Sequence, residues 1–140
     1  RAWRSFAEAF FTAVPAFAPH GDPAKGEEPL RLILAIDDRA PGGQYWSAYQ
    51  PAALVWCSPN PQSASELVEE ALRAAYDLNL GLVFVLASCV PAALHVSSGI
   101  RDGICLALVT DEEIAQLLEQ QSDIETFLRD RVLAARLRRL

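Results

Sequence analysis

The chain has 140 residues, of which 51% are hydrophobic, and a formal net charge of −6. That length and apolar content suffice to bury one core without disulfides or structural metal, so a single domain is expected. No apolar run approaches the roughly 18 residues of a membrane-spanning helix, and the negative mean field repels phosphate backbones, so neither a membrane nor a nucleic acid is an expected partner.

Trp3, Phe6, Phe10, Val14 and Phe17 recur at steps of three and four, which predicts an amphipathic helix over residues 2–14 ending near Pro15. Residues 18–29 hold Pro19, Gly21, Pro23, Gly26 and Pro29 among charges and read as a loop. The next stretch is the most informative of the chain. An apolar run of strand length from Leu30 ends abruptly in Asp37, Asp38 and Arg39, and the end of a buried strand is where α/β proteins deliver side chains to a fixed place. Ala40-Pro41-Gly42-Gly43 then turns the chain, and Tyr45, Trp46 and Tyr49 are expected in a short strand or an aromatic flap. Residues 52–57 form a second apolar strand, stopped by Ser58-Pro59-Asn60-Pro61.

Three helix starts carry one signature. Ser63 with Glu66, Thr110 with Glu113, and Ser122 with Glu125 each have the hydroxyl and the acid of a capping box, which satisfies two otherwise orphaned amides. The first opens a helix over residues 64–78 with Leu67, Ala71, Leu72, Ala75 and Leu78 inward, and Gly81 leads into a fully apolar strand over residues 82–87. A run apolar on both faces requires cover on both sides, which favours parallel strands with helical crossovers. Pro91 and Gly99 suit the ends of a short helix, the preferred reading, although residues 95–98 also fit an edge strand folded back through Gly99 and Gly103. Residues 104–109 form another strand. The last two boxes then open helices with Ile114, Leu117 and Leu118, and with Ile124, Phe127, Leu128 and Val132, directed inward.

The order α, β, β, α, β, α, β, α, α predicts an α/β fold with helices on both faces of a central four- or five-stranded sheet, largely parallel or mixed. The carboxyl ends of parallel strands would gather Ser88, Cys89, Thr110 and Asp111 into a default pocket, though each is also a natural helix cap. Cys57, Cys89 and Cys105 are odd in number and lack ligand spacing, which reads as reduced thiols in an intracellular, cytoplasmic protein. Cys89 has neither His20 nor His95 beside it in sequence to activate a nucleophile. No phosphate-binding glycine pattern or nucleophile elbow occurs. The lack of methionine, with Arg1 already next to the helical stripe, reads as a piece of a longer protein.

The second half resembles the tail of restriction-endonuclease-like domains of the Mrr type: helix, apolar strand ending in Ser88, short helix, apolar strand over 104–109, then the acidic cap at Asp111 and an aliphatic helix. The resemblance implies Asp22, Asp37 and Arg39 as catalytic residues, with Asp37 holding Mg²⁺ that generates hydroxide for attack on DNA. The motif is degenerate. Lys25 is the only lysine and lies in the Pro/Gly loop, so Arg39 stands where the family places a lysine, and a guanidinium is a planar fork that does not shuttle protons. Neighbours on a strand also point to opposite faces, so Asp37 and Asp38 could share one ion only through a bulge or turn.

The reading preferred on the residues themselves is a non-catalytic interaction, regulatory or assembly domain that needs no cofactor and binds a protein partner or another domain of its parent protein. Tyr45, Trp46 and Tyr49 are the candidate anchors, with covering the sheet as their alternative role. Arg129 and Arg136 join them from a last helix whose residues 129–140 hold five arginines and one aspartate, although arginines there also complement the helix dipole. If residues 91–98 are an edge strand, a fold of the profilin or roadblock kind, and with it a homodimer, is expected.

Overall fold

The computed structural model describes residues 14–20, 30–49, 52–57, 64–86 and 98–140. Residues 2–13 of the helix expected over 2–14, Asp22, the Ser63 cap, Ser88, Cys89, His95 and residues 91–97 lie outside them. The described chain runs β1 (Phe17–His20), β2 (Leu30–Ile36), α1 (Gly43–Ser47), β3 (Ala52–Cys57), α2 (Ala64–Asp77), β4 (Leu82–Leu86), β5 (Gly99–Arg101), β6 (Ile104–Val109), α3 (Asp111–Glu119) and α4 (Ile124–Arg136). Its α/β class is the expected one. Among the described residues the sheet has six strands, in the order β1-β2-β3-β4-β6-β5, rather than four or five.

The sheet is mixed. β3, β4 and β6 run parallel, while β1, β2 and β5 are antiparallel to their neighbours. β4 is buried along its whole length, as its unbroken apolar sequence requires. Because side chains alternate across a strand, the sheet supports two cores. Leu34, Val55, Phe84, Cys105 and Ala107 lie in one core with Trp46 of α1, Ile114 of α3, and Ile124, Leu128 and Val132 of α4. Leu54, Trp56, Val83, Val85 and Leu106 lie in the other, with Leu67, Ala71 and Ala75 of α2.

Several expectations are corrected. Phe17 belongs to a strand instead of a helical stripe, and residues 18–20, expected in a loop, continue that strand, because β1 pairs with β2 from Phe17 opposite Ile36 to His20 opposite Ile33. Pro19 is compatible with that position because β1 lies at the edge of the described sheet, where a missing amide costs least. Tyr45 and Trp46 lie on a short helix, neither strand nor flap. Gly99 opens the edge strand β5 rather than capping a helix, and the two-residue turn Asp102-Gly103, with φ of +53° and +79°, returns the chain into β6. Such a left-handed pair matches the twist of a hairpin.

The caps follow local chemistry. Thr110 and Glu113 form the complete expected box. At the next helix the cap is Asp123 and not Ser122: its carboxylate accepts from the Thr126 amide at 3.3 Å and from the Thr126 hydroxyl at 2.8 Å. Ser122 is committed to the end of α3, where its amide donates to the Leu117 carbonyl while that of Gln121, at φ +55°, donates to Leu118. The two bonds make a Schellman ending with glutamine in the left-handed position. Leu78 and Leu118, expected inward, are 38% and 53% exposed, each at the closing turn of its helix.

Candidate functional site

Asp37 follows β2, which is antiparallel to β3, so it lies at the end of the sheet opposite the carboxyl ends of the parallel strands. Its carboxylate closes a local turn. Oδ1 accepts from the Arg39 amide at 3.0 Å and from the Arg39 Nε at 3.2 Å, and these contacts hold the acid below its usual range. Asp37 and Arg39 are thus brought together, but as partners of each other at an exposed bend. Among the described residues, no group of three His, Cys, Asp or Glu side chains is placed to hold a metal ion. At the carboxyl ends of the parallel strands, the Thr110 hydroxyl is occupied by its cap.

The other candidates converge. α1 lies against α4, and four of the five residues singled out as partner anchors meet in pairs along that seam. The Arg129 guanidinium lies over the Tyr45 ring at 4.9 Å and the Arg136 guanidinium over the Tyr49 ring at 5.5 Å. Tyr45 donates to the Arg129 carbonyl at 3.3 Å, and the two tyrosine hydroxyls are 3.4 Å apart. Burial, followed by the Tyr49 hydrogen bond, raises the Tyr45 hydroxyl above its ordinary pKa, so it remains a donor.

Trp46, the fifth, is fully buried, with ring contacts to Phe17 and Phe84 and its Nε1 donating to Glu125 at 3.4 Å. Its ring is therefore part of the core, and Tyr49 is nearly so at 9% exposure. These aromatics are legible in the sequence as a cluster, while the choice between surface and core depends on where α1 docks.

On the outer side of α4, Arg129 and Arg136 are legible in the sequence as candidates, whereas Leu133 and Leu137 are not singled out there. Arg129, Leu133, Arg136 and Leu137 are spaced i, i+4, i+7 and i+8, which places them along one stripe of the helix and its C-cap. Leu133 is 46% exposed and Leu137 is 90% exposed. A signal for them exists, because Leu133 and Leu137 fall outside the inward stripe of Ile124, Leu128, Val132 and Ala135. On the other flank of the helix, Arg131 pairs with Glu113 and donates to the Leu108 carbonyl at 3.0 Å, fixing α4 to α3 and the sheet.

Two cavities adjoin these elements. One of about 170 Å³ lies beside Tyr49, Gly81, Cys105 and Arg136, near the amino ends of β4 and β6. Its Cys105 thiol donates to the Val132 carbonyl at 3.8 Å, and burial pushes the thiol pKa up to about 11 despite the opposing effect of Arg136. Cys105 is consequently a core side chain that stays neutral at neutral pH. The second cavity, of about 270 Å³, lies between α2 and the Asp102 turn, with Leu72, Tyr76 and Ile104 among its lining residues.

No helix among the described residues is long and apolar enough to cross a membrane. Neither a family model nor a curated protein nor a solved structure matches the chain.

Proposed function

We propose that this chain is a protein-interaction or assembly module of a larger protein, and that it docks its partner on the outer stripe of α4. The observation that carries the reading is the exposure of Leu133 and Leu137 on the same side of that helix as Arg129 and Arg136. Leucines in such a row present an apolar anchor, and the flanking guanidinium groups select for negative charge. The fitting partner is an amphipathic helix with acidic residues beside its apolar face. Tyr45 and Tyr49 serve this surface from behind, since their rings hold the two arginines in place.

Titrating the isotopically labelled chain with a Glu- and Leu-rich amphipathic helical peptide tests the proposal. Saturable amide shifts along α4 are expected, weakening as salt is raised and abolished in Leu133→Asp/Leu137→Asp. No shifts, shifts elsewhere, or shifts that survive the double substitution would remove the reading. Calorimetric titration with Mg²⁺ and Mn²⁺ addresses the nuclease-like alternative, in which Asp37 binds metal with support from Asp22 and Arg39. Metal binding by the unaltered chain that disappears in Asp37→Ala would displace the interaction reading.

A further inference from the structure

Beyond α4 the chain crosses to the edge of the sheet. Arg139 forms a parallel bridge with Ile100 of β5, in which the Ile100 amide donates to the Arg138 carbonyl at 2.7 Å and the Leu140 amide donates to the Ile100 carbonyl at 3.0 Å. Residues 138–140 therefore occupy both outward backbone groups of the central residue of an edge strand. Leu140 packs against the core beneath α2, on the face of the sheet opposite α4. Gly99 provides its seat: a Cβ there would come within 2.6 Å of Leu140 Cγ and 2.9 Å of the Arg138 carbonyl oxygen. A side chain at position 99 would push the segment off the edge.

We infer that the β5 edge is a strand-addition site for an extended basic segment of a partner protein, running parallel to β5 with a leucine above Gly99, and that residues 138–140 fill it in cis. A sheet edge is a template for another strand, with backbone bonds providing affinity and a side-chain seat providing selectivity. The resident segment shows what fits: two arginines followed by a leucine. Charge favours the same occupant, because 17 of the chain's 18 acidic residues precede Arg129. Among the described residues the segment is also held by the Arg138 amide, which donates to the Ala135 carbonyl at 3.1 Å, and by the partly buried Leu140, while Leu137, which joins it to α4, is 90% exposed.

The test uses the full chain and a synthetic peptide, Arg-Leu-Arg-Arg-Leu, which repeats residues 136–140. In Leu140→Asp, hydrogen exchange at the Ile100 amide should accelerate at least about tenfold while that of Val85 in the central strand is unchanged, reporting release of the segment. The peptide should then shift the amides of Gly99, Ile100 and Arg101 at concentrations about tenfold lower in Leu140→Asp than in the unaltered chain. Adding Gly99→Val should abolish those shifts. Unchanged exchange at Ile100, equal titration of both chains, shifts retained with Gly99→Val, or equal binding of the reordered peptide Leu-Leu-Arg-Arg-Arg would overturn the inference. The α4 stripe has its own readout, so this site can fail without that reading failing.

Discussion

Asp123 and Ser122 are neighbours that serve different helices: the Asp123 carboxylate accepts from the Thr126 amide at the start of α4, while the Ser122 amide closes α3. Asp123→Ala should therefore cost about 1 kcal/mol in urea unfolding, and Ser122→Ala should change stability by less than about 0.5 kcal/mol. The Asp123 carboxyl is held below its usual range by Thr126, as Asp37 is by Arg39. For acids whose folded pKa is depressed, the stabilisation is present above the unfolded pKa and fades as pH falls through the folded value. Unfolding midpoints should thus decline below about pH 4, with a shallower decline in Asp37→Asn and Asp123→Asn than in the unaltered chain. Cys105 is shifted in the opposite sense, and its reactivity follows. A thiol raised to about 11 by burial carries far less thiolate at pH 8 than a free cysteine. Alkylation of Cys105 by iodoacetamide, followed by peptide mass spectrometry, should run about two orders of magnitude slower than that of a cysteine in an unstructured peptide. A comparable rate would mean that this side of the core opens readily.

Among the helices and strands, α1 is the clearest case of tertiary control. Its five residues are too few for a helix to persist alone, so its stability comes from Trp46, whose ring meets Phe84 of the sheet and whose Nε1 reaches Glu125 of α4. Trp46→Ala should destabilise the chain by about 3–5 kcal/mol, a large part of what a domain of this size possesses. Tyr45→Phe removes only the hydroxyl, with its bonds to the Arg129 carbonyl and the Tyr49 hydroxyl, and should cost about 1 kcal/mol. Both are measured by chemical denaturation, and a small effect of Trp46→Ala would show that α1 is dispensable to the core. β1 and β5 are hard to recognise in the sequence for a related reason. Each is short and lies at an edge of the described sheet, where pairing with a longer neighbour supplies what local sequence does not.

Across the molecule, the reversal of direction between β2 and β3 has the largest consequence. It carries Asp37 to the end of the sheet away from the carboxyl termini of β3, β4 and β6. Asp37 and Thr110, both candidates for a strand-end site, are thereby divided between two ends. The outer stripe of α4 is the converse case, an assembly of residues that becomes a surface only once the inward stripe is committed to the sheet. Leu133→Asp/Leu137→Asp should leave stability within about 1 kcal/mol of the unaltered chain, because exposed positions contribute little to folding. A larger loss in urea unfolding would show that these leucines are needed for packing.

Short-range chemistry was enough to identify β2, β3, β4 and β6, the Thr110 box and the inward stripes of α2 and α4, because apolar runs, side-chain periodicity and capping geometry act between near neighbours in the chain. It also marked Asp37, Arg39 and the aromatic group of Tyr45, Trp46 and Tyr49 as positions worth attention. The folded arrangement was needed to establish that Asp37 is held by Arg39, that Trp46 faces the core, and that Leu133 and Leu137 share an outer stripe with Arg129 and Arg136. Strand direction, edge pairing and helix docking join residues far apart in the chain, and their energies are settled by packing that no local pattern encodes.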